Sequence, residues 1–236
     1  MDILSSALIE CFRLITSFDP YLIEVSRLTI VLSAASSAVS FIIGVPAGMI
    51  IAETDFKFKK IIIAVINAGM GLPPVVAGLV VAVLLGRAGL LGSADLLYSK
   101  TAIFISQLII ALPVACGLTI ASCGDIPVSI KLQLKSFGAS KIQTVYYLAK
   151  EIKRTLAVIY LAAFGSVISE VGAVIMVGGN ILGETRVLTT AIVSEVRLGN
   201  YDIAFAFAFV LLLITFAVNY LISGLTPKKR KASLSE

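Results

Sequence analysis

Few residues in this sequence could take part in covalent or metal chemistry. Histidine, the commonest metal ligand and general base, is absent. Cys11, Cys116 and Cys123 lack metal-ligand spacing and give no disulfide framework, so we interpret them as small apolar packing residues. No carboxylate pair, no nucleophile beside a base and no G-x-x-x-x-G-K-[ST] phosphate loop can be assembled. The sequence therefore predicts no cofactor, no metal site and no catalytic activity of its own.

Gly71, Pro73 and Pro74 mark a place where freed backbone amides could receive an anionic ligand. A proline inside a helix removes a backbone hydrogen bond and clashes with the preceding turn, at a cost of about 3 kcal/mol or more. Two prolines preceded by Gly69 and Gly71 predict a kinked or broken helix. Amides freed at a helix start attract negative charge. A packing kink without ligand contact is the alternative, and the residues alone do not separate the two.

The composition indicates a protein surrounded by lipid. Of the 236 residues, 58% are hydrophobic and 14% are charged, whereas an ordinary soluble domain has roughly 45–50% and about 25%. Five stretches reach the length of about 20 apolar residues that a helix needs to cross a bilayer. They predict an all-α integral membrane protein with five transmembrane helices, at residues 28–52, 61–85, 101–123, 156–177 and 203–225.

Residues 1–26 are predicted to form an N-terminal amphipathic, extracytoplasmic segment. Apolar residues recur on one side of residues 3–18, which is typical of a helix lying on the membrane surface; a sixth span is the alternative. The first residues carry no basic start region and no small-residue cleavage pattern, so we expect no cleaved signal peptide. The membrane domain then covers residues 27–225, and residues 226–236 form a basic cytoplasmic tail.

Lysine and arginine are distributed unequally between the two sides of the predicted spans. Thirteen fall in residues 57–60, 131–154 and 228–231, and six fall on the other side. Because cytoplasmic segments carry the excess of positive charge, the segment 124–154 and the C-terminus are expected inside and the N-terminus outside. The net charge of +5 is mostly this topological bias and does not indicate nucleic-acid binding.

The segment 124–154 predicts two short helices joined by a glycine turn. Asp125 is expected to cap the first helix, and Gly138 to end it. Ser140 and Gln143 then form a capping box that starts the second helix. A loop that merely connects two spans is the alternative.

Part of this segment, LKSFGASKIQTVYYL, resembles the cytoplasmic coupling loop of type I ABC importer permeases, in which Gly-Ala follows a Glu-Ala-Ala triplet. Gly138 and Ala139 match the central pair. The triplet does not match, because its positions hold Leu132, Gln133 and Leu134. Many members also have Leu-Pro near the end of the loop, where this chain has Lys-Glu at 150–151.

Two further segments are similar to molybdate- and tungstate-type permeases. They are GMGLPPVVAGLVVAVLLG at residues 69–86 and EVGAVIMVGGNILGETRVLTTAI at residues 170–192. Val-Gly-Gly-Asn at 177–180, with Thr-Thr-Ala-Ile at 189–192, looks more like the tungstate subgroup. The resemblance covers residues 28–225.

This resemblance implies a permease subunit in the cytoplasmic (inner) membrane of a prokaryote, importing tungstate or molybdate. A homodimer would line the path in the lipid bilayer, a separate cytoplasmic ABC ATPase dimer would supply the energy, and an extracytoplasmic oxyanion-binding protein would deliver the anion. The residues expected to couple to the ATPase are Lys135, Phe137, Gly138, Ala139 and Ser140. The residues expected in the translocation path or gate are Gly71, Pro73, Pro74, Gly178, Gly179 and Asn180.

Glu170 is the one charged residue inside the five predicted spans. A carboxylate at the centre of a transmembrane helix costs about 2.5–3.5 kcal/mol on insertion scales, so we expect it to have a partner, and Arg186 is the candidate. Because a bare carboxylate would repel an anionic cargo, we interpret Glu170 as a structural intramembrane charge.

Residues 178–200 start with three glycines within six residues and then become helical, which suits a re-entrant element or outer gate. Asn180 and Thr185 could hydrogen-bond a passing anion, although a glycine hinge alone would explain the composition. An ion-coupled secondary transporter is the alternative function, but such proteins usually show internal repeats and several intramembrane ionisable residues.

Overall fold

The computed structural model describes residues 3–225, which form eleven α-helices and one short 3-10 turn, Gly92–Ala94. The predicted basic tail, residues 226–236, lies outside the described residues. In chain order the helices are α1 (Ile3–Thr16), α2 (Pro20–Glu53), α3 (Lys59–Met70), α4 (Pro74–Leu85), α5 (Lys100–Gly124), α6 (Val128–Ser136), α7 (Lys141–Glu151), α8 (Lys153–Ile168), α9 (Gly172–Gly178), α10 (Leu188–Leu198) and α11 (Tyr201–Leu225).

Within residues 3–225, the helices account for the five predicted spans. By length and composition, α2, α5 and α11 are each able to cross a membrane alone. The pairs α3–α4 and α8–α9 reach this length only together, and they bend by 99° and 63° at their breaks. Counting each bent pair as one span gives five, which confirms the all-helical membrane architecture predicted from hydropathy.

The break between α3 and α4 confirms the prediction made from the paired prolines. α3 ends at Met70, and α4 starts with Pro74 in its first turn and Pro73 as its N-cap residue. The break between α8 and α9 was not predicted, because residues 169–171 contain no proline. α2 also starts earlier than expected, since the Asp19 carboxylate accepts a hydrogen bond from the Leu22 amide at 3.0 Å and caps the helix.

α1 is a helix, as predicted, but its 14 residues are fewer than the about 20 that a span needs. One side of α1 packs against α11: Cys11 is buried in a cluster with Leu22, Val25 and Phe207. On its other side Ile9 is exposed. Phe12 is also exposed, and its ring lies beside that of Phe209 of α11, with the ring centres 6.0 Å apart. The length of α1 favours a helix lying on the membrane surface over a sixth span, and the position of α1 relative to the membrane stays a prediction.

The centre of the molecule is a close, parallel packing of α2 on α5. Small residues recur every fourth position on α2, at 36, 40, 44 and 48, and a buried row at 107, 111, 115 and 119 faces them on α5. Three facing pairs are each 71 positions apart: Ser36–Gln107, Gly44–Ala115 and Gly48–Thr119. A constant separation means that the two helices run in the same direction and stay in register. Small residues at such positions let helix backbones approach closely.

We expect Gly48→Ala to destabilise this packing. A Cβ at residue 48 would lie 2.7 Å from the Cys116 carbonyl oxygen, so backbone would have to move. Overpacking of this kind costs about 1–3 kcal/mol, and thermal unfolding of the purified protein in detergent measures it. Gly165→Ala in α8 is the matched control, because nothing lies within 4 Å of its added Cβ. Equal melting of the two variants would contradict the close α2–α5 contact.

Candidate functional site

The break at residues 71–73 lies on a face of the α3–α4 pair that the rest of the described chain leaves uncovered. Gly71 and Pro73 are exposed. Apolar side chains on both sides of the break are exposed as well: Ile61, Val65, Val75, Val76, Leu79 and Val83. Behind the break, a Cβ at Gly69 would lie 2.9 Å from Pro113 Cγ of α5. Pro113 therefore supports the interruption from the protein side, a contact that the sequence did not predict.

α4 and α9, the second halves of the two bent pairs, pack directly against each other. A Cβ at Gly78 would lie 2.6 Å from Ala173 Cα, and one at Gly172 would lie 2.6 Å from Val75 Cγ2. The two breaks, at residues 71–73 and 169–171, are therefore neighbours in space. Sequence reasoning missed this pairing, and the glycines at 78 and 172 were the signal that could have suggested it.

Glu170 lies in the second break and acts as a helix cap. Its side chain is buried, and Oε1 accepts a hydrogen bond from the Ala173 amide at 3.0 Å, at the start of α9. Its backbone carbonyl accepts from the Thr189 hydroxyl at 2.8 Å. The predicted pairing with Arg186 is wrong, because Arg186 Nη1 lies 3.5 Å from Glu195 Oε1 instead. A carboxylate at a helix N-terminus is stabilised by the amide and the helix dipole, without needing a cation.

The last residue of α9 and the loop after it hold the three other residues predicted for a path or gate. Gly178 is buried and packs on Ile103, while Gly179 (φ 69°) and Asn180 (φ 53°) have left-handed backbone conformations. Asn180 Oδ1 is buried and has no hydrogen-bond partner among residues 3–225. Thr185 is already engaged, since its hydroxyl donates to the Gly178 carbonyl and accepts from the Ile181 amide. The Thr185 hydroxyl hydrogen is therefore used within the loop, and a contact of Thr185 with an anion stays one of the two alternatives.

The structure separates the predicted path residues into two groups. Gly71, Pro73 and Pro74 lie at the start of α4, whereas Gly178 ends α9 and residues 179–180 follow it. α9 has seven residues, which is about 10 Å of helix at about 1.5 Å per residue, and this length separates the second break from Gly179 and Asn180. The α4–α9 packing is the element that connects them.

The predicted coupling residues lie together on the loop formed by α6 and α7. Gly138 has φ 72°, which ends α6 as predicted, and the capping box between Ser140 and Gln143 is confirmed. The expected cap by Asp125 is wrong: this residue follows α5 as its C-cap, and Pro127 precedes α6 without a side-chain cap. Phe137 is 86% exposed at the tip of the loop.

A cavity of about 560 Å³ lies behind this tip, between the loop and the end of α2. Lys135 and Ala139 line it, together with Lys131 and Glu53, whose side chains form an ion pair at 2.7 Å. On the other side of the loop, Leu148 is completely buried in a cluster with Met49 of α2. The tip of the loop is therefore exposed, while its base is fixed to the helical bundle.

Glu170→Leu is expected to lower the thermal stability of the protein, and Glu170→Gln to leave it near that of the unmodified chain. Leucine leaves the buried Ala173 amide without its acceptor, which costs about 1–3 kcal/mol, whereas glutamine keeps a side-chain oxygen. Thermal unfolding in detergent compares the two. Equal destabilisation by glutamine and leucine would show that the charge of Glu170, and not its oxygen, is required.

Comparison with known proteins identifies the family. Residues 44–231 match the family described as "Binding-protein-dependent transport system inner membrane component". The tungstate uptake system permease protein TupB of Peptoclostridium acidaminophilum is 36% identical over 225 residues, covering 95% of this chain and 99% of that protein. The protein of the same name from Campylobacter jejuni is 33% identical over 167 residues, covering 71% of this chain and 70% of that protein.

The fold has a counterpart among solved structures. A chain of the MetNI methionine ABC transporter in its inward-facing conformation matches with a TM-score of 0.66 at 16% identity, covering 88% of this chain and 97% of that chain. This chain belongs to the binding-protein-dependent transport system inner membrane components, as the multi-pass permease subunit of an ABC importer and not its ATPase.

Proposed function

We propose that this permease imports tungstate, or the chemically similar molybdate, as a homodimer driven by a separate ATPase. The observation that carries the proposal is the match to a tungstate uptake permease over nearly the full length of both chains. The sequence similarities at residues 69–86 and 170–192 support the same assignment, and these segments contain the two neighbouring breaks.

The uncovered face of α3–α4 supports a homodimer. Backbone groups at a helix break within a bilayer are tolerated where protein buries them or where they line a wet cavity. A second copy facing Gly71, Pro73 and Pro74 would enclose the break and create such a cavity. Pro74 has no amide, and the Val76 and Ala77 amides donate to the Pro73 carbonyl, so the Val75 amide is the donor that the start of α4 would offer to an oxyanion. Asn180 would offer a further polar group at the other end of α9.

The loop of α6 and α7 is the proposed contact with the ATPase. This loop carries several exposed apolar side chains beside exposed lysines. The apolar ones are Val128, Leu132, Phe137, Ile142, Tyr146 and Tyr147. Exposing them would not stabilise the loop if it had no partner. Contiguous exposed apolar surface of this kind marks an interaction site. An extracytoplasmic binding protein would deliver the anion on the opposite side, with the N-terminus outside and the C-terminus inside.

An ion-coupled secondary transporter usually has internal repeats and several intramembrane ionisable residues. Glu170, the one charged residue inside the predicted spans, is engaged as the cap of α9, and this alternative does not explain the α6–α7 loop. Co-purification with an ATPase, and vanadate-sensitive uptake, distinguish an ABC importer from a secondary transporter.

Gly138→Phe is expected to abolish tungstate uptake while the permease remains in the membrane. A residue at 138 would have to adopt the left-handed region that L-residues disfavour, and the tip of the loop that faces the ATPase would change shape. Uptake by cells and immunodetection of the membrane fraction measure the two properties. Gly165→Ala, in a helix with open space around it, serves as the control. Normal uptake by Gly138→Phe would contradict the coupling role.

The partner binding protein is expected to capture tungstate more tightly than sulfate. Calorimetric titration with tungstate, molybdate and sulfate compares the three anions under one condition. Preferential capture of sulfate, or of an uncharged solute, would contradict the oxyanion assignment without affecting the family.

A further inference from the structure

α2 is long enough to connect the two sides of the membrane by itself. It has 34 residues, which corresponds to about 51 Å at about 1.5 Å per residue, whereas a bilayer with its headgroups is about 40–45 Å thick. Each end of α2 makes polar contacts with a different functional element. We name the contacts around Tyr21 and Thr29 the outer contact and the contact of Glu53 the inner contact.

The outer contact contains a partly buried cluster of polar side chains. The Tyr21 hydroxyl donates to Glu195 Oε1 at 3.0 Å and accepts from Arg186 Nη1 at 2.7 Å. Glu195 Oε2 accepts from Asn200 Nδ2 at 2.9 Å. The side chains of Arg186 and Glu195 are only 15% and 5% exposed. This cluster joins the start of α2 to the loop before α10 and to the end of α10.

A second hydrogen bond holds the start of α10. The Leu188 amide donates to the Thr29 hydroxyl of α2 at 2.8 Å, so a side chain of one helix caps another. Tyr21 and Thr29 are eight residues apart on α2, and Leu188 and Glu195 are seven apart on α10. These spacings correspond to about 12 and about 10.5 Å of helix. α10 therefore lies antiparallel along the first turns of α2 and is attached to it at both of its ends.

The inner contact joins the other end of α2 to the α6–α7 loop. Glu53 Oε1 accepts a hydrogen bond from Lys131 Nζ of α6 at 2.7 Å, and the two side chains are 18% and 28% exposed. One turn before Glu53, Met49 packs with Leu148 of α7 in a shared core. Movement of the loop would thus reach the last turns of α2 directly.

Between these contacts, the in-register packing on α5 supports α2. Ser36 donates to Gln107 at 3.0 Å, and the glycines at 44 and 48 bring the two backbones together. A helix supported along its length moves as a unit more readily than it bends, because close-packed interiors transmit displacement. Pro46 is accommodated inside this continuous helix.

We propose that α2 transmits movement between α10 on the outer side and the α6–α7 loop on the inner side. Arg186 and Glu195 at the outer contact, and Glu53 and Lys131 at the inner contact, are the positioning residues of this link. The inference rests on the proposed function, since it assumes that the loop meets the ATPase and that α10 lies on the side of the binding protein. Loaded binding protein would then stimulate ATP hydrolysis through α2.

The test uses the complete importer, reconstituted in lipid nanodiscs with its ATPase subunits, and measures ATP hydrolysis with and without the tungstate-loaded binding protein. Glu195→Gln keeps an acceptor for Tyr21 but removes the charge opposite Arg186. Lys131→Gln removes the cation opposite Glu53. We expect each variant to lower the ratio of stimulated to basal hydrolysis about fivefold or more, within the usual range of coupling between two sites.

The double variant separates a single link from two independent defects. If the two substitutions act at independent sites, their effects on the ratio of stimulated to basal hydrolysis should multiply. If they interrupt one link at its two ends, the double variant should lower this ratio no further than either single variant does. Glu184→Gln and Asp55→Asn, which change exposed carboxylates near the outer and inner contacts, are the matched controls and should keep the ratio of the unmodified importer.

Three results would overturn the link. They are an unchanged ratio in both single variants, a parallel loss of basal and stimulated hydrolysis as expected from fewer folded complexes, and a multiplied effect in the double variant. Failure of the proposed function is recognised separately, because the unmodified importer would then show no stimulation by loaded binding protein or would import tungstate without hydrolysing ATP.

Discussion

The structure depends on one constraint: a backbone amide or carbonyl surrounded by hydrocarbon must find its hydrogen-bond partner within the protein. Long helices satisfy it in α2, α5 and α11. Where the chain interrupts a span, the constraint must be met differently. At residues 169–171 the Glu170 carboxylate supplies an acceptor for the start of α9. At residues 71–73 the proline ring removes a donor, and the face remains uncovered in a single copy.

The second organising feature is the small size of the side chains where neighbouring helices meet, which lets their backbones approach closely. In lipid, apolar side chains gain nothing by leaving the solvent, so helices associate through close contact and buried polar bonds. The α2–α5 pair shows both, in its small residues and in the Ser36–Gln107 hydrogen bond. The same device recurs where Gly78 meets Ala173, between the second halves of the two bent pairs. Close contact thus builds both the scaffold and the region of the breaks.

Much of this architecture could be predicted from the sequence, because the signals are local. Hydropathy predicted the spans, paired prolines predicted the first break, and Ser140 with Gln143 predicted the start of α7. The failures concern charged residues that had several possible partners, among which the sequence gives no ranking. Glu170 was paired with Arg186 because opposite charges attract, but a helix amide three residues away satisfies the carboxylate, and Arg186 meets Glu195 and Tyr21. The second break lacks a proline and gave no local signal.

The shared separation of 71 positions between facing residues of α2 and α5 restricts how this sequence can diverge. A substitution that adds a methyl group to one helix would clash with the other helix unless the facing residue becomes smaller. Tolerated substitutions in the two helices must therefore compensate for each other in volume. Among descendants of a common ancestor, side-chain volumes at positions 44 and 115, and at 48 and 119, should vary inversely. Substitutions inside the bundle should therefore occur in pairs, whereas the residues on its outer surface carry no such constraint.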